Sequence, residues 1–249
     1  MTKQEALKAY FGYDRFRDGQ EALIDALLSG RDALGVMPTG AGKSLCYQVP
    51  ALVLGGVALV VSPLISLMKD QVEGLRRRGI PTARLDSTLT PSELTELYTD
   101  MSEGRLRLLY VAPERLSNAT FIERLRRMEI SLLAIDEAHC ISEWGHNFRP
   151  DYLRLPEIAR RLHLSPVLAL TATATPEVAR DIREAFAIAE EDHIQTTFHR
   201  PNLYLEIVPA QASKRLAMLT ERLQSGEIRP AIVYVTLQET AEMVATHLQ

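Results

Sequence analysis

The stretch Gly35-Val-Met-Pro-Thr-Gly-Ala-Gly-Lys-Ser44 decides the fold of this 249-residue chain. It overlaps an apolar run at residues 33–37 and leads into a segment with helical character that begins at Leu45. A glycine-rich turn between a buried strand and a helix is typical of a phosphate-binding P-loop, because backbone N–H groups and the helix N-terminus converge there on phosphate oxygens. The strict pattern has glycine where this chain has Met37, so a simple glycine-rich turn is the alternative.

As a P-loop, this stretch predicts a binding site for ATP and Mg²⁺. Lys43 is expected to reach the β- and γ-phosphates, and Ser44 is expected to bind Mg²⁺ through its hydroxyl. Glycines at positions 40 and 42 allow the backbone to fold tightly around the phosphates. The residues expected to contact the nucleotide in this loop are Thr39, Gly40, Ala41, Gly42, Lys43 and Ser44.

A second motif, Asp136-Glu137-Ala138-His139, ends the apolar run at residues 132–135. A carboxylate in that position holds Mg²⁺ in P-loop enzymes, which assigns Asp136 to the metal, and Glu137 can orient and deprotonate the attacking water. An acidic helix start is the alternative. Open α/β sheets place ligands at the carboxyl ends of their strands, so both motifs are expected to face one crevice and to form an ATP site. The predicted catalytic residues are Lys43, Asp136, Glu137 and His139.

Five short apolar runs alternate with helical segments along most of the chain, at residues 33–37, 57–61, 108–111, 132–135 and 167–170. Strands this apolar suit a parallel sheet that is covered on both faces. Helix starts are marked by Thr90-Pro91 with Glu93, and by Thr175-Pro176. The alternation predicts an α/β fold, with a doubly wound, mostly parallel sheet and helices on both of its faces.

The pattern changes near residues 198–212, which predicts a domain boundary. Residues 1–205 are expected to form one ATP-binding domain, and residues 206–249 the truncated beginning of a second. Around and beyond the boundary we expect strands at residues 203–208 and 232–235, the latter buried, and helices at residues 213–223 and from Gln238. About forty residues are too few to close a second α/β domain by themselves.

Composition restricts the class of protein more than it identifies a partner. Hydrophobic residues make up 46% and charged residues 24%, no apolar run approaches the roughly 18 residues that cross a bilayer, and the polar N-terminus shows no secretory signal. Cys46 and Cys140 lie far apart, so we expect no zinc module and a location in the bacterial cytoplasm or nucleoid. The net charge of −4 does not by itself indicate nucleic acid, although arginines cluster at residues 76–78, 105–107 and 124–127.

The stretch Phe11-Gly-Tyr-Asp-Arg-Phe-Arg-Asp-Gly-Gln20 combines three aromatic residues with a glutamine. It resembles the adenine-reading motif of the RecQ family of superfamily-two DNA helicases, and the likeness runs from about residue 8 to the end of the chain. The resemblance implies that Gln20 bonds the adenine edge, that Tyr13 packs against the base and that Arg17 supports the pocket. A side-chain amide can both donate and accept, which suits N6 and N7 of adenine. A hydrophobic anchor would explain the aromatic residues but not Gln20.

Three further stretches resemble motifs of the same family. Val60-Val-Ser-Pro-Leu-Ile-Ser-Leu-Met-Lys-Asp-Gln71 and Val111-Ala-Pro-Glu-Arg-Leu116 resemble its DNA-contacting motifs, which implies that Ser62 meets a backbone phosphate. Leu168-Ala-Leu-Thr-Ala-Thr-Ala-Thr175 resembles the motif that couples nucleotide state to DNA grip, with Thr171 and Thr173 bonding the turn at residues 136–139. Each of the first two stretches taken alone could be an ordinary strand-to-helix loop, and the third could be a strand edge with threonine caps.

The stretch Cys140-Ile-Ser-Glu-Trp-Gly-His-Asn-Phe-Arg-Pro-Asp-Tyr152 contains the only tryptophan of the chain and resembles the aromatic-rich loop of RecQ helicases. Bases stack on aromatic faces, and arginine adds cation–π and phosphate contacts. The alternative is that the aromatic side chains are buried packing. Related RNA helicases lack this loop, which favours DNA as the partner. The residues expected to bind single-stranded DNA here are Trp144, His146, Phe148 and Arg149.

The resemblance implies a RecA-like P-loop NTPase domain in an ATP-dependent 3′–5′ DNA helicase that acts on single-stranded and partly duplex DNA, with no membrane partner. In that family a second lobe supplies an arginine to the γ-phosphate, and here residues 235–237 lack the Asn-Ser pair expected in that lobe. Such an arginine contributes roughly 10³–10⁵ in rate. Because this chain is expected to contain only the beginning of the second lobe, and so to lack the arginine, we expect it to bind ATP and hydrolyse it weakly. An RNA-remodelling helicase and a non-enzymatic ATP-gated DNA-binding module are the alternatives.

Overall fold

The apolar runs of the sequence form the inner strands of a seven-stranded parallel sheet. A computed structural model describes residues 1–144, 148–198, 202–226 and 230–248. Across the sheet the strand order is β3-β4-β2-β5-β6-β1-β7, and each neighbouring pair is parallel. The strands are β1 Ala33–Val36, β2 Val57–Val61, β3 Thr82–Leu85, β4 Leu108–Val111, β5 Ile130–Ile135, β6 Val167–Thr171 and β7 His193–Gln195.

Helices connect these strands and cover both faces of the sheet. The α-helices of this part are α1 Lys3–Ala6, α2 Gln20–Leu28, α3 Leu45–Val53, α4 Ile65–Arg77, α5 Pro91–Ser102, α6 Ala119–Leu125, α7 Leu155–Arg161 and α8 Pro176–Phe186. Shorter helical turns are the π-helix Leu7–Phe11 and the 3₁₀ helices Pro113–Ser117, Ala138–Ile141, Pro150–Arg154 and Glu190–Asp192. One apolar cluster joins α2, α3 and α4 to one face, and a second joins α5 to α8 to the other. The predicted α/β architecture is confirmed.

The predicted helix starts form as their sequences indicate. The Thr90 side chain accepts a hydrogen bond from the N–H of Glu93, whose carboxylate bonds back to Thr90 N–H in a complete capping box. Thr175 caps α8 by accepting from the N–H of Val178. These bonds satisfy backbone donors that the first helical turn leaves without partners, and they fix where α5 and α8 begin.

The two edge strands, β3 and β7, are not among the runs that the sequence indicates. Residues 82–85 include Thr82 and Arg84, and β7 has a single apolar residue, Ile194. An edge strand pairs on one side only and is less completely covered, so it does not need the continuous apolar character of the inner strands.

By its contacts the chain divides into two compact units, Met1–Phe198 and His199–Gln249. The described part of the second unit contains α9 Arg215–Gln224, preceded by a 3₁₀ turn at Ala212–Lys214, and α10 Gln238–Leu248. The strands predicted at residues 203–208 and 232–235 are wrong, because both segments are irregular and exposed. A strand needs a neighbour for its backbone hydrogen bonds, and the described residues of this unit provide none.

None of the helices in the described ranges is long and apolar enough to cross a membrane. The same residues contain no group of three or more His, Cys, Asp or Glu side chains that could hold a metal ion, and Cys46 and Cys140 are separate buried thiols.

Candidate active site

Four neighbouring strands bring the predicted motifs together at the carboxyl ends of the strands. The strands β2, β5, β6 and β1 lie side by side; Ser62 follows β2, Asp136 follows β5, Thr171 ends β6, and the P-loop follows β1. The ladder of backbone hydrogen bonds continues past the strands, since Asp136 N–H donates to Val61 O at 2.9 Å and Met37 N–H donates to Thr171 O at 3.1 Å. The sheet itself therefore sets the spacing of these motifs.

The P-loop is tightly turned and accessible. Gly40 and Gly42 have φ angles of 82° and 81°, in the left-handed region that side chains disfavour. A Cβ atom at Gly42 would lie 2.6 Å from Nε2 of the Gln20 side chain, so a larger residue here would displace that side chain. Thr39 and Gly40 are exposed, and residues 41–44 are partly exposed. A ligand can reach the loop along its whole length.

Lys43 is held by the loop that carries it. Its Nζ donates to the carbonyl oxygens of Met37 at 3.1 Å and Pro38 at 3.4 Å. Burial lowers the pKa of Lys43, and the charges of Glu137 and Asp136 act in the opposite direction. The lysine therefore lies within electrostatic reach of the acidic motif.

Gln20 fastens the aromatic N-terminal motif to the P-loop. Its side chain is only 1% exposed, and Nε2 donates to the carbonyl oxygens of Ala41 and Gly42, both at 3.0 Å. Its Oε1 accepts from Arg17 N–H at 2.8 Å, and the Arg17 guanidinium donates to Gly40 O at 2.7 Å. Both protons of the Gln20 side-chain amide are donated to these carbonyl oxygens. The amide oxygen Oε1 can accept two hydrogen bonds and accepts one, so one acceptor position remains. The sequence did not indicate this attachment, and the adenine contact stays a prediction.

A cavity of about 330 Å³ opens beside the P-loop and α4. Tyr13, Arg17, Gln20, Gly42 and Ser44 all line it. Its volume falls in the range of small-molecule sites, roughly 300–1,000 Å³. Tyr13 is half exposed, so its ring is available to a ligand. The cavity joins the residues predicted for adenine to those predicted for phosphate.

Asp136 is held by three hydrogen bonds from neighbouring residues. Its Oδ1 accepts from Glu137 N–H at 3.0 Å, its Oδ2 accepts from the Ser62 hydroxyl at 3.4 Å, and its carbonyl oxygen accepts from the Tyr152 phenol at 2.9 Å. Burial and, after it, the charge of Glu137 raise the pKa of Asp136 to about 6, while the Glu137 N–H and Lys43 favour the ionised form. A nearby cation would stabilise the charged carboxylate.

Glu137, His139 and Thr171 form a connected group. Glu137 has φ 52°, which ends β5 abruptly, and its Oε2 lies 3.3 Å from His139 Nδ1. The same Nδ1 lies 2.9 Å from Thr171 Oγ1. The Thr171 hydroxyl proton is directed to Thr173 O at 3.0 Å, so Thr171 Oγ1 accepts and His139 Nδ1 carries the proton. Of the two predicted coupling residues, Thr171 bonds through its side chain and Thr173 through its backbone.

Ser62 requires a correction. It is predicted to contact a DNA phosphate, but its side chain is 1% exposed and its hydroxyl donates to Asp136 one strand away. The physical reason is that Ser62 comes directly after β2, where the sheet edge is still covered. The exposed polar side chains of this motif, Ser66, Lys69 and Asp70, lie further on in α4.

The aromatic stretch contrasts with these buried groups. Trp144 is 81% exposed and Phe148 is 36% exposed, so buried packing is excluded for Trp144. Arg149 is also exposed, and its backbone N–H donates to Cys140 O at 3.0 Å. This bond places Arg149 next to the residue that follows the acidic motif. His146, which is also predicted to contact DNA, lies outside the described residues.

One residue to which the sequence assigned no role is Tyr152. It is completely buried, and its phenol supports the backbone of Asp136. Its place at the end of the aromatic stretch was the only available signal, and nothing in the sequence separates it from the exposed aromatic residues before it.

A P-loop after β1 and an acidic motif after β5, on a parallel sheet with helices on both faces, define a RecA-like P-loop nucleotide-binding domain. The family model described as DEAD/DEAH box helicase matches residues 17–182, which is more than half of the chain. The chain belongs to the DEAD/DEAH box helicase family.

Curated relatives make the resemblance more specific. The chain is 43% identical over 248 residues to the ATP-dependent DNA helicase RecQ of Bacillus subtilis, covering 99% of this chain and 42% of that protein. It is 41% identical to the probable ATP-dependent DNA helicase RecS of the same organism, covering 100% of this chain and 50% of that protein. The predicted resemblance to RecQ helicases is confirmed. The chain spans half or less of the length of these relatives.

Solved structures agree on the fold. The structure of the DUF1998 helicase MrfA bound to DNA and AMPPNP matches with a TM-score of 0.70, covering 100% of this chain and 38% of that chain. The two sequences are only 17% identical, so this likeness concerns the fold alone. The predicted RecA-like fold is confirmed.

Proposed function

We propose that this protein is the nucleotide-binding part of an ATP-dependent DNA helicase of RecQ type, which moves 3′ to 5′ along single-stranded DNA and opens duplexes. The relatives that carry this name support the activity, and the resemblance supports the direction. The observation that carries the proposal is the position of Trp144, which is 81% exposed and follows the buried acidic motif by a few residues. An exposed tryptophan a few residues from the proposed hydrolytic residues suits a protein whose ATP hydrolysis depends on DNA bases stacking on that ring.

Ser44 and Asp136 are the residues we propose for Mg²⁺. They offer a hydroxyl and a carboxylate, the hard oxygen donors that this ion prefers, and Mg²⁺ often takes only one or two protein ligands beside phosphate oxygens and water. Asp136 fits this role because burial and Glu137 raise its pKa, and a cation offsets both effects. When bound, the ion would neutralise negative charge on the β- and γ-phosphates.

Glu137 is the residue we propose to orient and deprotonate the attacking water. His139 Nδ1 lies 3.3 Å from its carboxylate and donates its proton to Thr171 Oγ1, which links the surroundings of Glu137 to the end of β6. Lys43 stabilises the charge that develops on the phosphates. To do so it exchanges the carbonyl oxygens of the P-loop for phosphate oxygens, so nucleotide binding reorganises this loop.

We propose that Tyr13, Arg17 and Gln20 bind adenine. The remaining acceptor position on Gln20 Oε1 can receive the N6 amino group. Donation to N7 requires Nε2 to release the carbonyl oxygen of Ala41 or Gly42, so recognition of adenine would loosen the hold on the P-loop.

We propose that Trp144, His146, Phe148 and Arg149 bind single-stranded DNA. We propose further that Thr171 and Thr173 couple this binding to the acidic motif. Stacking on the aromatic rings holds bases, and the guanidinium pairs with a phosphate. The side-chain bond between Thr171 and His139 supports this transmission, because it joins β6 to the residue that contacts Glu137.

We further propose that residues 1–205 form the ATP-binding lobe, that residues 206–249 begin a second one, and that the protein acts in the cytoplasm. If the γ-phosphate requires an arginine from that second lobe, residues 1–205 alone would bind ATP and turn it over slowly, since such a residue contributes roughly 10³–10⁵ in rate.

ATP turnover by the product of the complete gene tests the proposal. It would be measured with Mg²⁺ alone, with added oligo-dT and with added oligo-U RNA, alongside unwinding of duplexes that carry a 3′ or a 5′ single-stranded tail. We expect stimulation by DNA and opening of the 3′-tailed duplex. Stimulation by RNA alone would indicate an RNA-remodelling helicase, and ATP binding without hydrolysis would indicate an ATP-gated DNA-binding module.

A further inference from the structure

The hydroxyl of Ser142 connects the aromatic stretch to α8. Ser142 is buried, and its Oγ donates to Asp181 Oδ2 at 2.6 Å. The same oxygen accepts from the backbone N–H of Trp144 at 3.2 Å. A short bond to a carboxylate is among the stronger hydrogen bonds in proteins. The backbone that displays Trp144 is therefore anchored, although its ring is exposed.

Asp181 determines how this hydroxyl is oriented. Serine has one hydroxyl proton, and directing it at the carboxylate turns the lone pairs of Oγ towards Trp144 N–H. Without the carboxylate the hydroxyl could rotate and donate elsewhere, and the bond to Trp144 would lose its fixed acceptor.

The helix that carries Asp181 is also connected to the acidic motif. The helix α8 starts at the cap Thr175, shortly after Thr171 ends β6, and Thr171 bonds His139. The segment from Glu137 to Trp144 is thus fastened to the β6–α8 segment at two points, through His139 and through Ser142.

The chain between those two points is buried and packed against α8. Residues 138–141 form a 3₁₀ helix and are all buried. Ala138, Cys140 and Ile141 share one apolar cluster with Val178 and Ile182 of α8. A buried, packed turn transmits a displacement at one end to the other with little loss, because close-packed interiors are hardly compressible.

We propose that Asp181 is a positioning residue that, through Ser142, holds Trp144 in the orientation from which DNA contact is transmitted to Glu137. The inference rests on the proposed function, since it deepens the role given there to the aromatic stretch. Asp181 itself touches neither nucleotide nor DNA in this account.

One test is independent of activity. The 249-residue chain has a single tryptophan, so its fluorescence reports Trp144 alone. We expect Asp181→Ala to increase the fast component of its anisotropy decay, because the backbone anchor is lost. Asp181→Asn keeps an acceptor for the Ser142 hydroxyl and should resemble the parent. Glu184→Ala removes the same charge from the exposed face of α8 and is the matched control.

The second test is ATP turnover by the product of the complete gene, with and without oligo-dT. We expect Asp181→Ala to lower the DNA-stimulated rate about tenfold, the effect of one lost charge-assisted hydrogen bond, and to leave the DNA-free rate and the KM for ATP unchanged. In a Trp144→Ala background, Asp181→Ala should have no further effect on the stimulated rate. Asp181→Asn should restore most of the stimulation.

Equal stimulation of parent and Asp181→Ala, or a fall in the DNA-free rate as large as in the stimulated one, would overturn the inference. If Asp181→Ala does not fold, Ser142→Ala breaks the same two bonds and must give the same pattern. A parent that DNA does not stimulate would contradict the proposed function instead, and the anisotropy of Trp144 would still decide whether Asp181 anchors it.

Discussion

The acidic turn at residues 136–139 and the aromatic stretch that begins at Trp144 are close in sequence and opposite in environment. In the turn, Asp136 and His139 are buried and bonded to neighbouring strands. Trp144 exposes most of its ring and is held through its backbone N–H. One short segment of chain therefore has two physical tasks. Its buried end holds the carboxylate and imidazole groups in place, and its exposed end offers an aromatic ring to a ligand.

The largest effect should come from the buried end. Glu137→Ala should lower ATP turnover by the complete gene product about 10²–10⁴-fold, the usual contribution of a general base. ATP affinity should stay unchanged, because Lys43 and the P-loop are intact. Single-turnover hydrolysis and binding of a fluorescent ATP analogue measure the two quantities. Glu143→Ala, an exposed glutamate in the same segment, is the control, and turnover that survives in Glu137→Ala would remove Glu137 from the role of base.

The exposed end should determine DNA affinity. Trp144→Ala should weaken binding of labelled oligo-dT by about 1–3 kcal/mol, the contribution of one stacked base, as measured by fluorescence polarisation at low salt. Tyr13→Ala removes another exposed aromatic ring, in the cavity beside the P-loop, and should leave DNA affinity unchanged. Equal weakening by both substitutions would mean that Trp144 has no special place in DNA binding.

The link from β6 to the turn should have an effect of about the same size, on stability rather than on DNA affinity. Thr171→Val removes the hydroxyl that bonds His139 and the backbone of Thr173, so it should lower the free energy of unfolding by about 1–3 kcal/mol. Thr171→Ser should recover most of this loss. Thr173→Val keeps the backbone bonds of Thr173 and should unfold like the parent in a urea titration. A parent-like Thr171→Val would show that the bond to His139 adds nothing to the turn.

The smallest effect should come from the phenol beneath the turn. Tyr152→Phe removes only the bond to Asp136 O, which should lower the free energy of unfolding by about 1 kcal/mol. Tyr13→Phe, at an exposed ring, is the control and should not change it. Thermal unfolding followed by circular dichroism measures both, and a stability of Tyr152→Phe equal to that of the parent would exclude a structural role for the phenol.

The sequence predicted the parts of the fold that depend on burial on both faces. The bounds of β2 and β4 follow directly from continuous apolar runs, and the caps at Thr90 and Thr175 follow from local chemistry. The edge strand β3 lacked that signal. The apolar run at residues 232–235 carried the signal, but no neighbouring strand among the described residues of its unit satisfies the backbone. Pairing partners are a property of the whole fold and cannot be found in a single run.

The site was predictable to a similar extent. The sequence indicated which residue types lie at the carboxyl ends of β1, β5 and β6, but not which way each side chain points. Ser62 was therefore assigned to DNA although it faces Asp136, and the bonds of Gln20 to the P-loop were not indicated. Asp181 lies in an ordinary amphipathic helix, and only tertiary contact distinguishes it from Glu184.

Contact of DNA at the exposed Trp144 should be registered at the partly buried Glu137. Steady-state ATP turnover of the complete gene product and of its Trp144→Ala variant, each with and without oligo-dT, tests it most directly. We predict equal rates without DNA and a stimulation by DNA that the variant loses. Equal stimulation of the two proteins would contradict the claim.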